Sequence, residues 1–386
     1  MRSAERRVCG RIEVCALGAL LVLFPGLALA AAWHGGGRLQ SSLVRDSNVF
    51  EAIEAAGRRT AGSLRLLGDA ELRASELPFS SRAEISLRGL AESLQDYPKE
   101  DRRQGEASLS WSLASATGRH RLALEAGYGQ RAYPNSSSRS DSSSRPDSSS
   151  GGHHRTWGRF VGAAPVGPRG SLVGRLDLWQ LDFGRTARID RTGGGFDLSY
   201  EHPRGPRLVL RGGLELGTVR HGFQSLRLDR GSDPPTISFG ADRSDHYRFF
   251  HVGFRRTGRL VLQAQAGWRS QASNSLDGAF RRPEVTWLVS RPLGWRVIGQ
   301  FYGNLEHTAY TARALRDFYI DRTGEIEAGA DDNTIVLRLI RPVGHGWNLD
   351  AQLGWYRNES ALVGVYYRKQ VISLGISRSF GSASGF

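Results

Sequence analysis

Apolar and polar residues alternate along most of the chain beyond residue 38, with the two-residue period of a β-strand. Leu262 and Trp268, for example, share one parity, while Gln263 and Arg269 take the other. The polar face is charged and rich in Arg, which the closed core of a soluble β-sandwich would not tolerate. The pattern therefore predicts strands with one apolar face and one face turned toward water.

Short and long polar connections alternate between the predicted strands. Seven are short, such as those at 116–118, 292–294 and 344–346, and eight are long, such as those at 132–155 and 223–245. Fifteen connections separate sixteen strands and leave both chain ends on one side. We predict an all-β fold, a transmembrane antiparallel up-and-down β-barrel of about sixteen strands, with fourteen to eighteen left open. A soluble exported β-rich sandwich or solenoid is the alternative.

The N-terminal thirty residues have the pattern of a secretory signal peptide. Several Arg residues precede an apolar run that ends in Ala28-Leu29-Ala30, the small residues that signal peptidase reads. An uncleaved membrane anchor is the alternative. We expect residues 1–30 to be removed on export, and residues 31–386 to form one barrel domain integral to the bacterial outer membrane. Both cysteines, Cys9 and Cys15, precede this domain, which excludes a disulfide or thiolate site within it.

The charge of the chain is strongly basic. Among 386 residues, 52 Lys+Arg oppose 38 Asp+Glu, for a formal net charge of +14. Lysine occurs only at Lys99 and Lys369, so nearly all of this charge is Arg. Because the charge is spread over strands and loops instead of one patch, we expect no nucleic-acid partner. Anionic solutes and lipid phosphates are more suitable partners.

The parity of the strands predicts a charged, lumen-lining set of mixed sign. Rings of Arg in a pore favour anions and rings of Asp or Glu favour cations, so the basic excess predicts a mild anion preference. The alternative is that these residues pair only to brace the wall. The predicted lumen-lining residues are Arg65, Glu71, Glu84, Arg88, Arg121, Glu125, Arg175, Asp177, Arg211, Glu215, Arg269, Glu306, Arg338 and Asp350.

The last predicted strand carries Ile372, Leu374, Ile376 and Phe380 on one parity. An aromatic that ends the last strand resembles the C-terminal signal read by the assembly machinery of bacterial outer-membrane barrels. The resemblance implies an assembly role for these four residues and that machinery as a partner. Arg378 departs from the pattern, since it stands where the signal has an apolar residue.

The first long loop begins with Asp46-Ser47-Asn48-Val49-Phe50. This segment resembles the start of some outer-membrane barrels associated with exopolysaccharide export, and the chain as a whole resembles porin-like barrels. The resemblance implies polysaccharide as a candidate cargo, and no functional residue is carried over from it. The same residues also fit an ordinary turn, because Asp, Ser and Asn side chains accept backbone N–H bonds at bends.

Residues 134–154 include a Ser-rich tract that cannot bury enough apolar surface to order itself. We expect a mobile surface loop there, which is a gate, an adhesive tip or solvated filler. The adjoining His153 and His154 lack an acidic or Cys partner at ligand spacing, so we predict no metal site. The sequence has no nucleophile-elbow, zinc-protease or phosphate-loop motif. We therefore assign no catalytic residue and expect no cofactor.

Arginines near the predicted loops are expected to contact phosphates of outer-membrane lipopolysaccharide, since Arg binds phosphate through two parallel hydrogen bonds. A solvated rim is the alternative. The residues concerned are Arg102, Arg103, Arg188, Arg191, Arg281 and Arg282.

Three functions are compatible with these features. The favoured one is an outer-membrane channel that passes small anionic solutes or an exported polysaccharide, with the loops at 132–155 and 223–245 as candidate constrictions. A structural or adhesive barrel, whose extracellular loops bind a surface partner, is the second. A rim-sited outer-membrane enzyme, such as a hydrolase, is the third.

Overall fold

The structure, a computed structural model, covers the wall of the molecule. It describes residues 32–47, 60–77, 81–95, 102–115, 120–132, 153–182, 190–229, 236–275, 278–310, 332–359 and 366–381. The predicted signal peptide and most of the Ser-rich tract lie outside the described residues, so both remain predictions. None of the described residues forms a helix that is long and apolar enough to cross a membrane.

The described residues form seventeen β-segments. The first nine are β1 (Ala32–Asp46), β2 (Ala61–Leu77), β3 (Ser81–Leu94), β4 (Arg102–Ala114), β5 (Arg121–Ala132), β6 (His153–Val166), β7 (Gly170–Asp182), β8 (Arg191–Pro203) and β9 (Leu208–Asp229). The others are β10 (Thr236–Arg256), β11 (Val261–Ser273), β12 (Phe280–Gly294), β13 (Val297–Glu306), β14 (Ala309–Tyr310), β15 (Asp332–Gly344), β16 (Trp347–Glu359) and β17 (Tyr366–Gly381).

The segments form one closed antiparallel sheet in chain order. β14 continues the ladder that β13 makes with β12, because Glu306 of β13 lies opposite Glu284 and Ala309 of β14 lies opposite Arg281. The wall therefore has sixteen strands. β1 pairs with β17 over eleven residues, from Gly36 opposite Gly381 onward, which closes the barrel. The predicted sixteen-stranded up-and-down barrel is confirmed.

The two faces of the wall differ in the way that the alternation predicts. On β17 the side chains of Ile372, Leu374 and Ile376 are 48%, 61% and 43% exposed, whereas Ser373 and Ser377 between them are buried. Exposed apolar side chains recur around the barrel, and the interleaved charged ones point to the other side. A band of this extent is stable against lipid and would aggregate in water. The soluble sandwich or solenoid alternative is therefore wrong.

The turn between β12 and β13 differs from the prediction. β12 continues through Gly294, and the turn is formed by Trp295 and Arg296, both with positive φ (46° and 60°). Two-residue hairpins favour this conformation because it matches the twist of the strands, although it is uncommon for residues other than Gly and Asn. The Pro-Leu-Gly sequence at 292–294 indicated a turn three residues too early.

The predicted long loop at 223–245 is mostly strand. β9 extends to Asp229 and β10 begins at Thr236, with register shifts on either side of Asp242. The two strands form a hairpin longer than its neighbours, and the polar face of that hairpin resembled a loop in the sequence. β6 likewise begins at His153, two residues inside the predicted loop at 134–154.

Val252 tests the assignment of the faces, since it lies in the apolar band of β10 and is 65% exposed. In V252R a guanidinium would enter hydrocarbon, which costs about 2–4 kcal/mol near the bilayer midplane. We expect the free energy of unfolding from lipid vesicles, measured by denaturant titration, to fall by about this amount. The control is Q265R, which adds the same charge at a similar depth on the inward face, since Gln265 lies opposite Gly253. An equal loss in both variants would contradict the assignment.

Candidate functional site

The inward face of the barrel carries the charged residues that the parity predicted. Each of the fourteen predicted lumen-lining residues lies on the face opposite the exposed apolar side chains of its strand. On β9, for example, Arg211 and Glu215 alternate with the outward Leu210 and Leu216. The structure therefore places all fourteen residues on the lumen side of the wall. A role in conduction remains a prediction.

Ion pairs connect the inward charges of β5 to β9 into a lattice. Arg159 Nε donates to Asp177 Oδ1 at 2.6 Å, and its Nη1 donates to Glu125 Oε2 at 3.3 Å. Arg175 links Asp177 to Asp197. Its Nε lies 2.7 Å from Asp177 Oδ2, and its Nη2 lies 3.6 Å from Asp197 Oδ2. Each guanidinium thus joins neighbouring strands, and the lattice braces this side of the wall.

Asp197 is the most enclosed member of the lattice. Its side chain is 3% exposed, and it accepts a hydrogen bond from Arg211 Nη2 at 2.8 Å. His251 Nε2 lies 3.4 Å from its other oxygen. Burial of a carboxylate is costly unless such partners compensate it. With Arg175 of β7, Arg211 of β9 and His251 of β10, Asp197 is therefore held by side chains of three other strands.

Further pairs brace the rest of the wall. Arg65 Nη2 lies 2.9 Å from Glu92 Oε1, and Arg338 Nε donates to Asp350 Oδ2 at 2.6 Å. The sequence prediction did not include several inward partners, although the same alternation applied to every strand would have found them. They are Arg38, Asp69, Glu92, Arg159, Asp197, Arg282 and Glu284.

The predicted lipid-phosphate arginines divide between the two faces. Arg103 and Arg281 face outward and are exposed, as predicted. Arg191 and Arg282 lie within β8 and β12 at positions whose side chains point inward, because successive residues of a strand alternate between the two faces. The side chain of Arg102 and the whole of Arg188 lie outside the described residues.

A basic row lies inside the loop end of the barrel on β5 to β8. Arg131 and His153 are register partners on β5 and β6. One step below, Arg155 and Arg191 flank Leu181. The inward positions of β5 to β8 that the structure describes carry no acidic side chain at this level. The described inward positions of these four strands are therefore basic at the loop end.

Aromatic rings on the inward face lie over glycines of the neighbouring strand. A Cβ built on Gly217 would lie 2.3 Å from Cζ of Tyr247, whose hydroxyl donates to Glu215 Oε1 at 3.0 Å. Trp157 covers Gly127 and Trp179 covers Gly193 in the same way. Because glycine has no side chain, each ring lies flat against the wall and does not project across the lumen.

The extended β9–β10 hairpin contains a buried polar cluster near its base. Its central carboxylate, Asp245, lies above the apolar band, since His246 and Arg248 are the outward side chains beside it and the apolar ones begin at Phe250. The band of β10 thus covers Phe250 to Phe254, and the cluster lies at the loop-side rim, outside the membrane-spanning part.

Four side chains converge on Asp245. His221 Nε2 lies 3.0 Å from Oδ2, Arg243 Nη2 donates to Oδ2 at 2.9 Å, and Ser273 Oγ donates to Oδ1 at 2.5 Å. Gln271 Nε2 adds a bond at 3.1 Å. Burial alone would raise the pKa of Asp245, but the bonds from His221 and Arg243 and the Arg243 charge outweigh it and lower the pKa to about 2. The cluster fixes the hairpin to β11.

The Asp245 cluster contains a serine and a histidine that do not form a catalytic pair. Ser273 and His221 both bond to Asp245 and not to each other, so this histidine is not positioned to take a proton from the serine. His153 faces inward while His154 faces outward, with Nδ1 2.6 Å from the Tyr128 hydroxyl. Within the described part of the chain, no group of His, Cys, Asp and Glu could hold a metal ion.

The predicted assembly residues lie on the outward face of β17. Ile372, Leu374, Ile376 and Phe380 are all more than 40% exposed, so they are available to contact lipid or another protein. Arg378, the departure from the pattern, lies between the rings of Trp347 and Phe380, with Cζ 5.2 Å and 5.0 Å from their centroids. These contacts accommodate a cation at an apolar position. The assembly role remains a prediction.

The wall identifies the broad class of the protein. An even number of antiparallel strands, full closure, an outward apolar band and a charged interior occur together in bacterial outer-membrane barrels. The chain is an outer-membrane-type β-barrel. No protein-family model and no curated protein sequence matches it.

Solved structures of outer-membrane barrels align with most of the chain. A bacterial polysaccharide outer membrane secretin aligns over 90% of this chain and 98% of its own, with 9% identity and a TM-score of 0.43. An anion-selective porin from Comamonas acidovorans aligns over 91% of this chain and 100% of its own, with 12% identity and a TM-score of 0.42. Pseudomonas putida OprB aligns over 90% of this chain and 94% of its own, with 9% identity and a TM-score of 0.45.

Asp197 tests the energetic role of the lattice. In D197N the buried carboxylate is lost, and Arg211, Arg175 and His251 lose their shared partner. The arginines keep about a third of their side chains exposed. We therefore expect the free energy of unfolding in vesicles to fall by about 2 kcal/mol, less than for a fully buried pair. The control is E201Q on the same strand, for which we expect less than about 0.5 kcal/mol. No difference between the two would exclude a bracing role.

A substitution at Gly217 tests whether the inward aromatic rings pack on the glycines of the neighbouring strand. In G217A the new Cβ would overlap Tyr247 and force its ring toward the lumen, away from Glu215. We expect a loss of about 1–3 kcal/mol in the free energy of unfolding, as for other overpacked sites. The control is G212A on the outward face of the same strand, where the nearest atom would be an ordinary 3.7 Å away. Tyr247 does not pack on Gly217 if both variants behave alike.

Proposed function

We propose that the barrel is an outer-membrane channel that favours small anionic solutes. The observation that supports this most directly is the basic row at the mouth of the lumen, whose charge comes from Arg131, Arg155 and Arg191, because burial lowers the pKa of the adjoining His153. Below it, the inward charges of β5 to β9 are of both signs, whereas the described inward positions of the row itself carry basic side chains and no acidic one. The basic row adds a positive field at the entrance, which raises the local concentration of anions.

The ring and glycine contacts support the same proposal. Because Trp157, Trp179 and Tyr247 lie flat on the wall, their large side chains leave the lumen free for solute. A barrel of sixteen strands is wide enough for an aqueous channel. Export of polysaccharide would use the same lumen. The loops required by an adhesive function lie outside the described residues, so nothing described favours that alternative.

The test is the reversal potential of the refolded mature protein in a planar bilayer with a salt gradient. We expect a steady current with anion preference. In R131Q/R155Q/R191Q we expect the anion-to-cation permeability ratio to fall at least about twofold, because the field at the mouth is reduced. The control is R103Q/R248Q/R281Q, which removes the same formal charge from the outward face.

Two outcomes would contradict the proposal. A folded barrel that carries no current would exclude an open channel, and cation preference in the unmodified protein would exclude the proposed selectivity. Equal shifts in the inward and outward variants would show that total charge, and not the basic row, sets the preference.

A further inference from the structure

Two tryptophans face the lumen side by side just below the basic row. Trp157 of β6 and Trp179 of β7 are register partners on the inward face. Each follows the basic row by one step, since Arg155 precedes Trp157 by two residues and Arg191 precedes Gly193, the partner of Trp179. An anion that enters past the basic row therefore meets two indole rings next.

The rings present their faces to the lumen. A Cβ built on Gly127 would lie 2.4 Å from Cε2 of Trp157, and one on Gly193 would lie 2.5 Å from Cζ2 of Trp179. Each indole thus lies over a glycine backbone, on opposite sides of the pair. The Arg159 guanidinium lies over the Trp157 ring from the row below, so the exposed part of this surface is bordered by a cation. The result is a wide, flat, partly apolar surface formed by two rings on neighbouring strands.

Charged planar groups border this surface directly. The Arg159 guanidinium lies 5.8 Å from the Trp157 ring centroid and bonds to both Asp177 and Glu125. These three groups form the inward row immediately below the rings, since Arg159 is the partner of both carboxylates in the register. Aromatic faces thus lie between hydrogen-bonding groups on one side and cations on the other.

This combination selects for one ligand chemistry. A sugar ring has an apolar C–H face that stacks on an aromatic ring and a polar edge whose hydroxyls bond to carboxylates and guanidinium groups. A purely hydrocarbon ligand would desolvate Arg159, Asp177 and Glu125 without replacing their bonds to water, which is unfavourable. A small inorganic anion would not use the rings. The cations of the basic row favour a sugar that carries carboxylate, sulfate or phosphate groups.

We propose that Trp157 and Trp179, with the basic row above them and the Arg159 lattice below, form a binding site for an acidic oligosaccharide inside the barrel. The proposal rests on the proposed channel function and deepens it, because it names the class of solute that the channel recognises. The two rings lie side by side on adjacent strands and lean in opposite directions, so an oligosaccharide engages both and a monosaccharide only one.

The experiment uses the refolded mature protein in a planar bilayer, with an oligogalacturonate hexamer as the acidic probe and maltohexaose as the neutral one. We expect the acidic hexamer to interrupt the current at lower concentration than the neutral one. In W157A/W179A the concentration for half-maximal block by the acidic hexamer should rise at least about tenfold, because both stacking contacts are lost. The reversal potential in salt alone should not change.

Two variants control for loss of structure. W268A removes a tryptophan from the lipid-facing side, and the acidic hexamer should block this variant at the same concentration as the unmodified protein. W157F/W179F keeps an aromatic face at both positions and should restore most of the block. Folding of every variant is checked by the shift in gel migration between unheated and heated samples.

The outcomes separate this proposal from the channel proposal. An anion-selective current whose block by the acidic hexamer is the same in W157A/W179A would overturn the sugar site and leave the channel intact. Equal block by maltohexaose would overturn the acidic specificity. If no current flows, calorimetric titration of the hexamer into the barrel in lipid nanodiscs decides: tryptophan-dependent binding supports the site, and its absence overturns it.

Discussion

The structure depends on the closure of one hydrogen-bonded ladder. Inside lipid, an unpaired backbone N–H or C=O costs several kcal/mol, and an open sheet would have two edges of such groups. The pairing of β1 with β17 removes both edges. Every other property of the wall follows from this closure, because a closed sheet has only an inside and an outside, and each strand must alternate between them.

Closure also explains why the interior is an ion-pair lattice. The alternation that turns Leu and Phe to lipid turns every second residue inward, and there are many charges among these. Adjacent strands place inward side chains side by side, so Arg159 can reach carboxylates on both of its neighbours. A guanidinium suits this role since its fork can serve two carboxylates at once. The basic composition of the chain is thereby used to connect strands.

The balance of charge is uneven around the barrel. On β5 to β8 the lattice of paired charges ends below the mouth, and a basic row continues to the rim. The tryptophans lie between these two regions, flat on glycines that leave space for them. In the two proposals above, selection by charge at the mouth and recognition by stacking and hydrogen bonds beneath it follow each other along one side of the lumen.

The sequence by itself determined the class of fold, the number of strands and the face of each of the fourteen predicted lumen-lining charges. It did so because a two-residue period is a local property: Leu262 and Arg269 reveal their faces without any knowledge of their partners. The extent of the β9–β10 hairpin was not predicted, since its polar residues pair with each other across the hairpin and resembled a loop.

Only the tertiary structure decided which charges meet and which rings meet which glycines. Asp197 joins Arg211, Arg175 and His251 from three strands, a set that depends on the register between distant segments. Trp157 lies inward over Gly127, although tryptophan near a strand end is equally common at the membrane interface. Parity assigns a residue to a face, but register assigns its neighbours, and register is fixed only when the whole ladder closes.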